Sequence, residues 1–141
     1  MTRPGIDQTM MDVARVLARR ATCPKLSVGC VLIDVQKRII GTGYNGTARY
    51  LPHCTEQNCA GACAPAGSDL CEAIHAEQNA LLACADTDKI WTAYVTHVPC
   101  MRCIKTLLNT SCTRIVVGTL DKQQLQAVAL WSRYGKSLEL V

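Results

Sequence analysis

The sequence predicts an α/β fold, a sandwich of helices around a central sheet, and three observations predict it. Short runs rich in Val, Ile and Tyr alternate with segments of helical periodicity. Apolar residues make up 49% and charged residues 18%, a globular balance. The length, 141 residues, suits one domain around one hydrophobic core.

Residues 7–20 read as an amphipathic helix, with Ile6, Met10, Val13, Val16 and Leu17 at helical spacing. Val28–Ile33 reads as a buried strand, Gln36-Lys37-Arg38 as a polar turn, and Ile39–Tyr44 as the returning strand of a hairpin. Asn45-Gly46 is a turn signal. Residues 46–74 lack periodicity and hold four cysteines and two prolines, the mark of a long functional insertion. The pattern then resumes: helix His75–Cys84, strand Trp91–Val98, helix Cys100–Leu108, strand Arg114–Gly118, helix Lys122–Trp131, strand Ser137–Val141. There is no internal repeat and no Gly-rich phosphate loop.

Composition excludes several classes of function. No apolar run approaches the roughly 18 residues that cross a bilayer, and Met1–Met11 lacks the apolar stretch of a signal peptide. A cytoplasmic protein without a membrane partner is therefore expected. The net charge of +4 suits a phosphorylated small ligand, and with six aromatic residues it gives thin support for a nucleic-acid polymer as partner. The ten cysteines would mean disulfides in a secreted chain; in a reducing compartment they point to metal. Cys30, Cys84 and Cys112 lie in apolar stretches and read as core residues.

Two short runs carry the chemistry: His75-Ala76-Glu77 and Pro99-Cys100-Met101-Arg102-Cys103. Histidine, a spacer and glutamate, followed by Pro-Cys-x-x-Cys, is the signature of zinc-dependent nucleobase deaminases. His75, Cys100 and Cys103 would supply three ligands, leaving a fourth tetrahedral position for water. Cys100 and Cys103 share one face of a helical turn, which Pro99 suits as a start. A helix N-terminus favours the thiolate. His75 and Glu77 are two apart and cannot face one way within a helix, so they converge only if His75 begins its helix. Glu77 would then be the catalytic acid and base beside the water, whose pKa zinc lowers toward about 7. A Cys-x-x-Cys pair alone would fit a redox or structural-zinc role equally well.

The chain resembles the deoxycytidylate (dCMP) deaminase family over most of its length. The resemblance is carried by Thr22-Cys23-Pro24, Val28-Gly29, Gly43-Tyr44-Asn45-Gly46, His53-Cys54, His75-Ala76-Glu77-Gln78-Asn79-Ala80 and Pro99-Cys100-x-x-Cys103. It implies a three-layer α/β/α sandwich with a five-stranded mixed sheet. It also implies hydrolysis of dCMP to dUMP and ammonia, by zinc-hydroxide attack on C4, for nucleotide biosynthesis. Activation by dCTP, inhibition by dTTP and assembly into homohexamers come with it. Asn45 matches the family's sugar-contacting asparagine, Val28 and Ala76 would line the base pocket, and Tyr44, Asn45 and Gly46 fall where its regulatory nucleotide binds. A second, structural zinc is implied at the positions of Cys23 and Cys54. Cys59 and Cys71 are the residues expected to complete it, with Cys63 or His53 as substitutes. The chain departs from many relatives at Asp121-Lys122-Gln123, where an aromatic residue is common. Arg49, Lys25, Arg102 and Lys122 are candidates to meet a phosphate; His97 reads as packing around the site. The rival readings are a deaminase of another cytosine nucleotide or nucleoside, and a non-catalytic zinc or nucleotide-sensing module.

Overall fold

The computed structural model describes residues 2–56, 59–61, 64–65 and 68–141. In chain order the elements are α1 (Ile6–Ala18), β1 (Gly29–Ile33), β2 (Ile39–Tyr44), α2 (Ala76–Ala83), β3 (Thr92–Val95), α3 (Met101–Leu108), β4 (Arg114–Val117), α4 (Leu125–Arg133) and β5 (Ser137–Leu140). The five strands form one mixed sheet in the order β2-β1-β3-β4-β5. β1 is antiparallel to both β2 and β3, whereas β3, β4 and β5 run parallel.

Period-2 alternation divides the sheet between two layers of helix. Val31, Ile33, Tyr94 and Val116 point to one face, where Met11 and Ala14 of α1 cover them. Cys30, Leu32, Ala93, Val95, Ile115 and Val117 point to the other, against Ala80 of α2, Ile104 and Leu107 of α3, and Trp131 of α4. The result is the expected three-layer sandwich. Strands buried on both faces must read as continuous apolar runs, as β1, β3 and β4 do.

Two features fix the geometry where β2 meets α2. First, α2 lies directly on the backbone of β2. A Cβ built on Gly43 would come 2.3 Å from the Ala76 carbonyl oxygen, and one on Gly41 2.6 Å from that of Ala80. Only glycine permits that approach. Second, Gly46 and Ile74 exchange backbone hydrogen bonds of 3.1 and 2.8 Å, so the insertion leaves and returns at one point.

Element ends differ from the sequence reading in informative ways. The strand expected over Trp91–Val98 is regular only to Val95; Thr96 still donates its N–H to Gly29 O of β1, and the chain then turns toward Pro99. The helix expected from Lys122 opens as a short 3-10 turn, Lys122–Gln124, capped by the Asp121 side chain. Cys30 and Cys112 are buried as expected, but Cys84 is a partly buried C-cap of α2 whose thiol reaches Asp86 O. Among the described residues no helix is long and apolar enough to cross a membrane.

Candidate metal centre

His75 is the N-cap of α2, in extended conformation (φ −69°, ψ 153°), and Cys100 is the N-cap of α3 (φ −71°, ψ 171°). The condition set by the His75–Glu77 spacing is thereby met: the backbone is not yet helical at His75, so its side chain and that of Glu77 turn inward together. The Gln78 side chain accepts from the His75 N–H at 2.8 Å and fixes the start of the helix. Asn79 ties the same turn to the end of β2 by donating to Tyr44 O at 2.8 Å. α3 begins on the loop that leaves β3, so the site sits at the carboxyl end of a parallel strand, where α/β folds place their ligands.

His75 Nδ1 lies 3.5 Å from Cys100 Sγ and 3.4 Å from Cys103 Sγ. Among the described residues, these three form the group of His, Cys, Asp and Glu side chains whose ligand atoms all lie within 4.8 Å of one another. Ideal zinc bond lengths and a tetrahedral angle put the nitrogen and sulfur donors about 3.6 Å apart. The observed spacings fit zinc, and three donors leave its fourth position free.

The electrostatics favour a cation at this point. Hydrogen bonds from Cys103 and from His75 hold the Cys100 thiol far below its usual range, at about 3, against the opposing effect of burial. The Cys103 thiol is pushed up, by its bond to Cys100 and by burial. His75 is raised by its bond to Cys100. Glu77 is 5% exposed. Burial raises its pKa, and the neighbouring His75 and the Cys103 thiol oppose that rise. A buried acid beside the metal donors is placed for proton transfer.

Asn45 is buried with its amide fixed on both sides: Oδ1 accepts from Val28 N–H and Nδ2 donates to Leu26 O, each at 2.8 Å. One lone pair and one N–H remain free. Val28 and Ala76 are buried in the adjoining core. The Tyr44 ring lies beneath the Arg20 guanidinium, at 5.8 Å. Of the phosphate candidates, Lys25 donates to Ala64 O and Arg102 pairs with Asp69 at 3.0 Å. Arg49 and Lys122 are exposed.

Cys54 is buried, and its thiol is pushed up to about 11 by burial first, then by a hydrogen bond with Cys59 and by the nearby Cys23 and Cys71. Cys63 lies outside the described residues. The sequence reading missed the supporting residues Gln78, Asn79 and Thr96. Gln78 had a signal, since a glutamine three residues after an N-cap reaches back to it; Thr96 had none.

The model of the cytidine and deoxycytidylate deaminase zinc-binding region matches residues 4–119. ComE operon protein 2 of Bacillus subtilis (strain 168) is 34% identical over 146 aligned positions, which cover 100% of this chain and 74% of that protein. The deoxycytidylate deaminase of Mycobacterium phage D29 is 35% identical over 124 positions, 82% of this chain and 96% of the phage protein. In fold, the chain superposes on dCMP deaminase from the cyanophage S-TIM5, crystallised with dCMP and dUMP. The TM-score is 0.80 at 21% identity, over the full length of both chains.

Proposed function

From a chain that belongs to the cytidine and deoxycytidylate deaminase family, and is a zinc-dependent deaminase, we infer the hydrolytic conversion of dCMP to dUMP and ammonia. The observation that carries this reading is the buried Glu77 carboxyl beside three donors at tetrahedral zinc spacing. A non-catalytic module has no use for an acid at that place. The phage relative, which this chain nearly spans, supports dCMP as the substrate.

His75, Cys100 and Cys103 would hold zinc, which supplies Lewis acidity and makes a water nucleophilic at neutral pH. Glu77 would take a proton from the water that adds to C4 and deliver it to N3 of the ring. It would then take the remaining proton of the hydroxyl added at C4 and deliver it to the amino nitrogen as the C4–N bond breaks, so that the C4 carbonyl forms and ammonia leaves. The raised pKa suits both directions of transfer. Val28 and Ala76 pack the base in a dry pocket, and the free amide positions of Asn45 face the sugar, donating to and accepting from a hydroxyl.

Residues 1–141 are read as one deaminase domain with its insertion at about 46–74. Cys23, Cys54, Cys59 and Cys71 would bind a second, structural zinc; the hydrogen bond between Cys54 and Cys59 and the nearness of Cys23 and Cys71 to Cys54 support it, while no three of these thiols lie within 4.8 Å of one another. Such a metal would order a polar insertion that buries little apolar surface. Activation by dCTP and inhibition by dTTP, acting at Tyr44, Asn45 and Gly46 in a homohexamer, complete the reading. Its support is the place of that run, at the end of β2 against the start of α2.

Ammonia release from dCMP, CMP, deoxycytidine and dCTP, each with and without added dCTP or dTTP, tests the substrate. Preferred turnover of dCMP is expected. An enzyme that leaves dCMP untouched while turning over another cytosine compound overturns the assignment.

A further inference from the structure

His97 lies three residues before Cys100, half-buried where the chain leaves β3. A short relay fixes its ring. Thr96 Oγ1 accepts from the Gly29 N–H at 3.1 Å and stands 3.3 Å from His97 Nδ1. A hydroxyl that accepts from an N–H keeps its own hydrogen to give to the imidazole. With Thr96 donating, Nδ1 is the acceptor and the ring proton sits on Nε2, the tautomer that the proposal below requires. Among the described residues Nε2 has no hydrogen-bond partner. Burial pulls the His97 pKa down, with the Asp121 carboxylate opposing, which favours the uncharged ring.

His97 follows the end of β3 and Asn45 the end of β2, on either side of the start of β1. Asn45 is bonded to Val28, and Gly29, the next residue, is bonded to Thr96 beside His97. The two N–H groups point to opposite sides of the chain entering β1, so Asn45 on the β2 side and Thr96–His97 on the β3 side flank the same end of the sheet. Two other basic groups of the region, Lys25 and Arg102, are already engaged by Ala64 and Asp69. In that tautomer a half-buried Nε2–H at this end of the sheet lacks a partner that a bound nucleotide would supply.

We propose that His97 is a substrate-binding residue whose Nε2–H donates to an acceptor oxygen of the bound nucleotide. The proposal rests on the reading of the site as a cytosine-nucleotide deaminase. That oxygen belongs either to the 5′-phosphate or to the nucleoside, and the two are separable.

The test is steady-state kinetics of zinc-loaded His97→Leu and His97→Gln on dCMP and on deoxycytidine, with zinc content and melting temperature measured alongside. Leucine removes the donor at similar size, whereas the glutamine amide can place an N–H near Nε2. His97→Leu should raise KM about 3- to 10-fold, the loss of one net hydrogen bond, with kcat and zinc content close to wild type. His97→Gln should recover most of the loss. A penalty confined to dCMP puts the oxygen on the phosphate; an equal penalty with deoxycytidine puts it on the nucleoside. Unchanged KM for both substrates overturns the proposal, as does equal impairment of the two variants or loss of zinc. Wild-type enzyme that ignores dCMP but deaminates deoxycytidine strikes the substrate assignment alone, because the variants are still compared on the substrate that is turned over.

Discussion

Gly43→Ala should damage the metal centre without touching a residue of it. The added Cβ would stand 2.3 Å from Ala76 O, 2.5 Å from Ala80 N and 2.9 Å from the Asn79 side chain, where ordinary contact begins at 3.4 Å. Two of those three atoms are helix backbone, so no side-chain rotation relieves the clash and the first turn of α2 must retreat by about 1 Å. Overpacking of this kind costs about 1–3 kcal/mol, or roughly 3–10 °C in Tm for a chain of this size. His75 and Glu77 ride on that turn. A displacement of about 1 Å can cost on the order of a hundredfold in rate. Scanning calorimetry reads the first effect and ammonia release the second. Gly5→Ala is the control, since its Cβ meets nothing within 4 Å. A Gly43→Ala protein with wild-type Tm and wild-type kcat would refute the claim that the β2–α2 contact sets the site.

Three further outcomes follow from particular contacts. Asp7 joins α1 to the sheet through Arg114, whose Nη1 donates to it at 2.8 Å, and through the Tyr94 hydroxyl at 2.7 Å. Its carboxyl is held below the usual range by the Arg114 hydrogen bond, so its contribution is present above about pH 4 and is lost as pH falls through the folded value. Asp7→Asn should therefore destabilise by about 1–3 kcal/mol at pH 7, and urea titrations should show the gap from wild type closing in acid. Cys100→Ala should release the catalytic zinc and abolish turnover, read by metal analysis beside ammonia release. Cys54→Ser should lower the zinc count from two per chain to one while leaving the His75 site loaded; a wild-type count of one would remove the second site.

The layers were legible because buried strands and amphipathic helices leave strong patterns. The apolar runs 28–33 and 114–118 and the α1 stripe read correctly to within a residue or two. Element ends were less legible where a tertiary contact decides them. Trp91–Val98 has one apolar and β-branched pattern, yet the regular strand covers only Thr92–Val95; Trp91 and Thr96 still bond to Ile33 and Gly29, and the chain turns beyond Thr96. The centre could be inferred from residue types and spacing, including the need for His75 at a helix start. Its supports could not: the Gly43–Ala76 contact under α2 and the Gly29–Thr96 hydrogen bond join residues 33 and 67 apart, and no local pattern connects them.

The central claim is that Glu77 moves protons at a zinc held by three other side chains. The measurement that tests it most directly is kcat/KM of Glu77→Gln on dCMP, with zinc content determined on the same sample. Glutamine keeps the size of this buried side chain and removes its proton-carrying group. The account predicts retained zinc with a loss of about 10²- to 10⁴-fold in rate. Full activity with zinc in place would contradict it, and loss of the metal would show that Glu77 is a ligand.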